Sequence, residues 1–297
     1  MEVKMPDIGV SFSKKAVELK KQSPNLIRTI EVYNLADLQY VEGDWIFHCQ
    51  KEDPFVLESA LLNLLEPNQI KMTLGNKKMK ELLQRHPPKI ISFHLGFSAK
   101  VFGPASLVDH HAAGSILTRE EVFRKFCQSL EIIRGSFLVR ELHLLIALEN
   151  IDYCPNGVSD RNKNYFPGRA FKHICQADFI DSIFESNPDL YLLLDIAHAE
   201  ISAMALCGGK LRDKAAIVKD YLQHLPLKRL IEIHINAPQF EDSQTKQDAH
   251  LPIGPTELEI LEWLLNLGLP DFRVVNLECQ EKISEQVKQL GSVLKKK

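Results

Sequence analysis

The sequence predicts an α/β fold, a closed (β/α)8 or TIM barrel, and three observations lead there. Short apolar runs of strand length alternate with segments of helical period along the chain, the pattern of parallel βαβ units. Seven or eight such units can be counted, and 297 residues suit one barrel of ordinary size. The first strand is not followed by Gly-x-Gly-x-x-Gly, which weighs against an open, doubly wound nucleotide-binding sheet. No low-complexity linker or break in composition interrupts the chain, so residues 1–297 are expected to form a single domain.

In order, strands are expected at Ile8–Phe12, Ile27–Tyr33 and Trp45–Gln50, with a helix over Lys14–Lys21. Pro54–Leu65 has helical period with a proline in its first turn. Gln69–Leu74 reads as an extra strand or irregular segment, Met79–Gln84 as helix, and Lys89–Phe97 as a strand that turns into a loop at Gly96. A long loop is expected over Ser98–Leu117. Thr118 and Glu121 then form a capping-box signature for a helix running to about Arg134. Leu142–Asn150 is a buried strand, Ile151–Gly168 a second long loop, and Phe171–Ser186 a helix. Leu190–Ala197 is the next strand, broken from a helix over Lys210–His224 by Gly208-Gly209. Leu230–Ile235 is a strand, Ala237–Gly254 a loop, Pro255–Asn266 a helix, Arg273–Leu277 the last strand and Ser284–Leu294 the closing helix.

An apolar content of 45% and a charged content of 25% are those of a globular protein, and no run of eighteen apolar residues suggests a membrane span. The start of the chain lacks an apolar signal region, so a cytoplasmic location is expected. Six cysteines without a Cys-x-x-Cys pair suggest neither a zinc knuckle nor a disulfide scaffold. A formal charge of −3 argues mildly against a nucleic-acid surface, which is usually basic, and makes nucleic acid a disfavoured partner.

The chemistry is carried by polar residues at strand ends. Tyr191-Leu-Leu-Leu-Asp195-Ile-Ala-His198 is the most informative stretch: an apolar run delivers a carboxylate and an imidazole where a buried strand stops. Neither side chain belongs in an apolar interior unless paired or bound to a cation. The pattern recurs at His48, His94, Glu149, His234 and Glu278, and Asp248 and His250 follow in the loop after His234. Strand ends of a parallel barrel converge on one mouth. Four carboxylates gathered there repel unless cations neutralise them, and imidazole with carboxylate is a donor set for divalent metals. Nine such side chains exceed the needs of one ion and match two or three. Asp248 and His250, spaced i and i+2, reach one side in extended chain, and Gly254 lets the backbone come close to a ligand. His110-His111 and the group Arg161, Lys163, Tyr165 and Arg169 lie in the two long loops, where substrate contact competes with an ordinary solvated role. Cys279 is expected to face away from Glu278 in the strand alternation.

As an ordered set, Phe47-His48, Phe93-His94, Leu148-Glu149-Asn150, Asp195-Ile-Ala-His198, Ile233-His234, Asp248-Ala-His250-Leu-Pro-Ile-Gly254 and Leu277-Glu278 resembles the xylose-isomerase-like TIM barrels. Within them it is similar to the endonuclease IV family, whose trinuclear zinc site uses the same order of ligand types. The intervening wording, with Glu149-Asn150, Asp178-Phe179-Ile180, Leu192-Leu-Leu-Asp195, Ile201-Ser-Ala203, Leu225-Pro-Leu227 and Glu232-Ile-His234, resembles the multinuclear non-haem iron oxidative enzymes. Members of that family modify cysteine-containing peptides with iron and dioxygen. The chain departs from it in having Ile196-Ala197-His198 where Asn-Asn is usual, and His234-Ile-Asn-Ala-Pro238 where His-Leu-Ala-Gly-His is usual.

The resemblance implies an oxidative metalloenzyme with two or three divalent ions, iron favoured and zinc or manganese as alternatives. Glu149 and Glu278 would bridge or orient the ions. The competing expectations are a zinc-dependent phosphodiesterase, in which Asn236 and Pro238 would stand near the phosphate, a sugar isomerase or epimerase using Glu149 and Glu278 as acid and base, and a non-enzymatic metal-binding module.

Overall fold

The computed structural model describes residues 5–57, 59, 61–96, 99–106, 109–153, 173–207, 211–240, 246–270 and 272–295. Eight parallel strands close into a barrel: β1 (Asp7–Ser11), β2 (Thr29–Val32), β3 (Trp45–His48), β4 (Ile90–His94), β5 (Leu145–Glu149), β6 (Tyr191–Asp195), β7 (Leu230–Ile235) and β8 (Val274–Leu277). Each pairs with its successor, and β8 closes on β1 with Asp7 opposite Val274 and Val10 opposite Leu277. The predicted (β/α)8 barrel is the observed fold.

Alternation along each strand separates two environments. Ile30 and Val32, Ile91 and Phe93, Leu192 and Leu194, and Ile233 and Ile235 pack outward in the large core under the helices. The opposite parity faces into the barrel, where Ile46, Ile90, Ala147, Leu193 and Val274 form a separate apolar plug. On that same inward parity, further along the strands, come Glu31, His48, Ser92, His94, Glu149, Asp195, Glu232, His234 and Asn276.

The helices start where their caps dictate. Ser13 Oγ accepts from Ala16 N at 3.0 Å to open Lys14–Gln22, and Asn76 Oδ1 accepts from Met79 N to open Lys77–Arg85. Thr118 and Glu121 make the reciprocal capping box that opens Arg119–Gly135. Pro255 starts Pro255–Asn266, with Glu257 Oε2 accepting from Gly254 N. Ala177–Ser186, Lys214–Gln223 and Ile283–Leu294 complete the helices expected from period, the first starting at Ala177 rather than Phe171 because residues 173–175 form a turn.

Five expectations are corrected. Among its described residues, Pro54–Leu65 is not helical. Asp53 Oδ1 accepts from Phe55 N and Ser59 Oγ donates to the Asp53 carbonyl, so local side-chain bonds hold a turn there instead. The helix begins at Pro67 and runs to Leu74, taking in the segment read as strand or irregular. Ser98–Leu117 is an antiparallel ribbon of Ala99–Ser106 with Asp109–Ile116 rather than a loop. Ala237–Gly254 likewise contains the pair Ala237–Phe240 and Lys246–Leu251. The strand expected to reach Ala197 stops at Asp195, and an unforeseen helix, Ile196–Leu206, follows at once. That helix is buried on every side, with no polar stripe for a periodic reading to find. The side chains of His110 and His111, and the whole of the group Arg161, Lys163, Tyr165 and Arg169, lie outside the described residues, as do Gly208 and Gly209. Among the described residues, no helix is long and apolar enough to cross a membrane.

Candidate metal centre

The structure brings all nine side chains singled out at strand ends and in the following loop to one place, the C-terminal mouth of the barrel. Glu149, at the end of β5, lies at its middle. Its Oε2 stands 3.0 Å from His48 Nε2 and 2.8 Å from His94 Nε2. Its Oε1 stands 3.3 Å from His234 Nδ1 and 3.6 Å from His198 Nδ1. Four imidazoles from β3, β4, β7 and the helix after β6 therefore surround one carboxylate.

Around this middle the other carboxylates take their places. Asp195 ends β6 and caps the helix Ile196–Leu206, its Oδ1 accepting from His198 N at 2.6 Å. The cap sets His198 in the first helical turn, where Nδ1 meets the Asn150 carbonyl at 2.8 Å and Nε2 lies 3.4 Å from Asp248 Oδ2. Asp248 also meets His250 Nε2 at 2.9 Å. His250 has φ +46°, a left-handed backbone that a non-glycine residue adopts at some cost, so the strand-like spacing expected of this pair gives way to a local kink. Glu278 follows β8; its Oε1 is 3.3 Å from His234 Nδ1 and its Oε2 is 4.0 Å from His250 Nε2. Exposure grades outward: His48, Glu149, Asp195 and His234 are buried, whereas the His250 side chain is 46% exposed at the rim.

Two sets of ligand atoms at the mouth lie within 4.8 Å of one another: His48, His94 and Glu149, and Glu149, Asp195 and His234. Glu149 is common to both, which is the arrangement a carboxylate bridging two ions requires. Hydrogen bonding leaves these atoms available. Glu149 Oε2, Asp195 Oδ2, His234 Nδ1 and Asp248 Oδ1 are buried with no hydrogen-bond partner, and such atoms are costly to leave unmatched. A cation would satisfy them together, so the residues present fit a metal centre. The donor set is imidazole and carboxylate; the thiols of Cys49, Cys175 and Cys279 are buried elsewhere, with Cys279 in the outer core, as the alternation anticipated.

Electrostatics agree. No lysine or arginine pairs with Glu149, Asp195, Asp248 or Glu278 among the described residues. Burial and the neighbouring Glu278, Asp248 and Glu149 charges push the Asp195 carboxyl well above the usual carboxylate range, against His198. Burial would also raise Glu149, but His94 and His48 hold it well below. Burial is likewise outweighed at Glu278, which His234 and His250 bring to about 2. His250 rises to about 10, Asp248 and Glu278 overcoming its burial. This uneven distribution of charge is what carboxylates and imidazoles do when they must neutralise one another.

Sequence reasoning missed the layer beneath. Glu31 on β2 and Glu232 on β7 are fully buried carboxylates inside the barrel, and with His234 they form a third group of ligand-type atoms within 4.8 Å. Tyr33, Ser92, Asn150 and Asn236 also serve the mouth: Ser92 Oγ lies 2.7 Å from His48 Nδ1, Tyr33 Oη lies 3.0 Å from Glu278 Oε1, Asn236 Nδ2 donates to Glu278 Oε2, and Asn150 bonds the Asp195 backbone through both its donor and its acceptor. The available signal was parity: Glu31 and Glu232 interrupt apolar runs at inward positions. Asp152, just past β5, has its carboxyl raised by burial, with the His198 charge opposing that shift and the Asp248 charge adding to it.

No protein-family model matches the chain, and no curated protein does. Among solved structures, the chain is similar to a chitinase from Rhizomucor miehei at 8% identity, covering 98% of this chain and 100% of that one with a TM-score of 0.47. A psychrophilic glycoside hydrolase family 10 endo-β-1,4-xylanase matches at 8% identity over 92% of this chain and 86% of that one, with a TM-score of 0.41. An uncharacterized protein from Parabacteroides distasonis matches at 13% identity over 98% of both chains, with a TM-score of 0.36. Likenesses this remote carry no functional argument; the barrel rests on its own closed strand order.

Proposed function

We propose that this chain is a metal-dependent TIM-barrel enzyme holding two or three divalent ions at the barrel mouth, and that its reaction is oxidative, with iron as the working metal and a peptide or small molecule as substrate. The observation that carries the metal reading is the position of Glu149, whose two oxygens face four imidazoles at 2.8–3.6 Å. In this reading His48 and His94 with Glu149 hold one ion, and Glu149, Asp195, His234 and Glu278 hold a second. His198, Asp248 and His250 supply the outermost position. Ions held by nitrogen and oxygen ligands with an open coordination position can activate dioxygen or polarise a bound group. The preference for iron comes from the sequence resemblance; the donor set itself suits zinc and manganese as well.

The chain's own residues would do the rest. Asn236 Nδ2 donates to Glu278 Oε2, and Tyr33 Oη lies 3.0 Å from Glu278 Oε1, so the carboxylate is contacted from two sides at the mouth. Asn150 holds the β5 and β6 ends together beneath Asp195. The zinc phosphodiesterase reading loses one support here, because Asn236 is buried and bonded to Glu278 rather than presented to a phosphate.

Elemental analysis of protein purified with and without oxygen tests the proposal. The expected result is about two to three ions per chain, mostly iron, with an absorbance band that changes on exposure to air. Zinc alone, with cleavage of an abasic duplex, would replace the oxidative reading by the hydrolytic one. A chain that takes up no divalent metal on reconstitution would sink both.

A further inference from the structure

The third group of ligand-type atoms, Glu31, Glu232 and His234, does not have the character of another ion site. Both oxygens of the Glu31 carboxylate already have hydrogen-bond partners. Its Oε2 accepts from Ser11 Oγ at 3.0 Å, Tyr33 Oη at 2.7 Å and Asn276 Nδ2 at 2.5 Å. Its Oε1 lies 2.7 Å from His234 Nε2. A carboxylate has no proton to give, so His234 Nε2 carries the hydrogen of that contact. The consequence lies on the other side of the ring. With one proton committed to Nε2, the singly protonated form of His234, the form able to hold a cation, presents the Nδ1 lone pair, and Nδ1 is the atom that faces Glu149 and Glu278 at 3.3 Å without a hydrogen bond.

We infer that Glu31 is a positioning residue for the mouth: it fixes the tautomer and ring orientation of His234. Tyr33 Oη stands between two carboxylates, 2.7 Å from Glu31 Oε2 and 3.0 Å from Glu278 Oε1, and its one hydrogen serves a single carboxylate at a time. Glu31 on β2, a strand that contributes no predicted ligand, thus reaches a ligand-type side chain on β7. Its neighbour in the layer makes the contrast. Glu232 is equally buried and lies 3.7 Å from the same Nε2, yet neither of its oxygens has a hydrogen-bond partner. It does not orient the ring. Carboxylates that receive the second ring proton of a metal-bound histidine typically influence affinity 10- to 100-fold.

The inference rests on the metal reading above, and the experiment separates the two. The protein is loaded with zinc, which is diamagnetic, after labelling its histidines with nitrogen-15. Long-range proton–nitrogen correlation then shows which ring nitrogen is metal-bound, and His234→Ala assigns the resonance. Zinc affinity is measured against a competing chelator in the wild type, Glu31→Gln and Glu232→Gln, with circular dichroism as the check on folding. Wild-type chain that binds no zinc would overturn the metal reading itself. If it binds, His234 is expected to be bound through Nδ1 with its proton on Nε2. Glu31→Gln, whose amide cannot accept from His234 and Asn276 with separate oxygens, is expected to weaken one zinc by roughly 10- to 100-fold and to disturb that Nδ1 signature. Glu232→Gln is expected to leave both unchanged. Should Glu31→Gln fold poorly, Glu31→Asp, which keeps the charge but shortens the reach, is expected to show an intermediate loss. An unaltered His234 signature and affinity in Glu31→Gln, or equal losses in the Glu31 and Glu232 variants, would overturn the assignment.

Discussion

At their starts, β3, β4, β5, β6 and β8 set Ile46, Ile90, Ala147, Leu193 and Val274 into the apolar plug. A few residues later, on the same inward face, the same chain segments set His48, His94, Glu149, Asp195 and Glu278. The first group gains by leaving water, about 1.5–3 kcal/mol for each large aliphatic side chain. The second loses by it, because buried charges and unmatched polar atoms cost several kcal/mol unless something answers them. Both are held by one backbone frame, in which β4, β5 and β6 pair in continuous register. The difference teaches that the mouth is not a by-product of folding: the plug end shows what these strands do when stability alone decides.

Breaking the mouth should separate metal from fold. Glu149→Gln removes the carboxylate that two groups of ligand atoms share, so the chain is expected to lose at least about one ion while circular dichroism still reports a barrel. Elemental analysis of the folded variant decides it; unchanged metal content would remove Glu149 from the centre. The plug should behave the other way. Leu193 is fully buried, and Leu193→Ala is expected to cost about 2–5 kcal/mol in denaturant unfolding, with metal per folded chain unaltered.

Between these ends lies Glu232, and it sharpens the comparison. Its carboxyl is pushed up to about 7 by burial, with the Glu31 charge adding to the effect and His234 opposing it. Its oxygens are unpartnered. Glu232→Met fills similar volume without the desolvated carboxyl and is expected to stabilise the chain by about 1–2 kcal/mol, read as a rise in the unfolding midpoint. A loss of metal in this variant would instead show that Glu232 belongs to the centre.

How far the sequence could be read follows the same division. The barrel was legible because buried parallel strands are short continuous apolar runs, and the ligand set because each run ends on an imidazole or carboxylate. Caps with their own chemistry, such as Thr118 with Glu121, placed helix starts to within a residue. What escaped had no local signature. Ile196–Leu206 is buried around most of its surface, its few polar residues form no single stripe, and it follows a strand with no turn between, so Asp195 reads equally well as a strand end and as a cap. The two ribbons, Ala99–Ser106 with Asp109–Ile116 and Ala237–Phe240 with Lys246–Leu251, owe their structure to pairing between segments rather than to either segment alone. Glu31 and Glu232 sit in mid-strand, where a single carboxylate looks like a surface residue until the opposite strands show that its side faces inward.

The smallest effect expected lies far from both ends. Arg134, in the last turn of the helix Arg119–Gly135, grips Asp189 through Nε at 2.8 Å and Nη2 at 2.5 Å, and its Nη2 also reaches Asn187 Oδ1 at 2.7 Å. This ties the helix before β5 to the turn before β6, but the Asp189 side chain is 53% exposed, so solvent screens most of the attraction. The Arg134 hydrogen bonds, against partial burial, hold the Asp189 carboxyl below its ordinary 3.8. A carboxyl lowered on folding contributes stability above its unfolded value, and that contribution is lost as pH falls through the lowered one. Arg134→Ala is therefore expected to cost only about 0.5–1 kcal/mol at neutral pH, with the gap between variant and wild type closing as the pH drops below about 3.8. Parallel denaturant titrations across that range measure it. A gap that persists in acid would mean that the bond to the uncharged Asn187, and not the ion pair, is what joins these two segments.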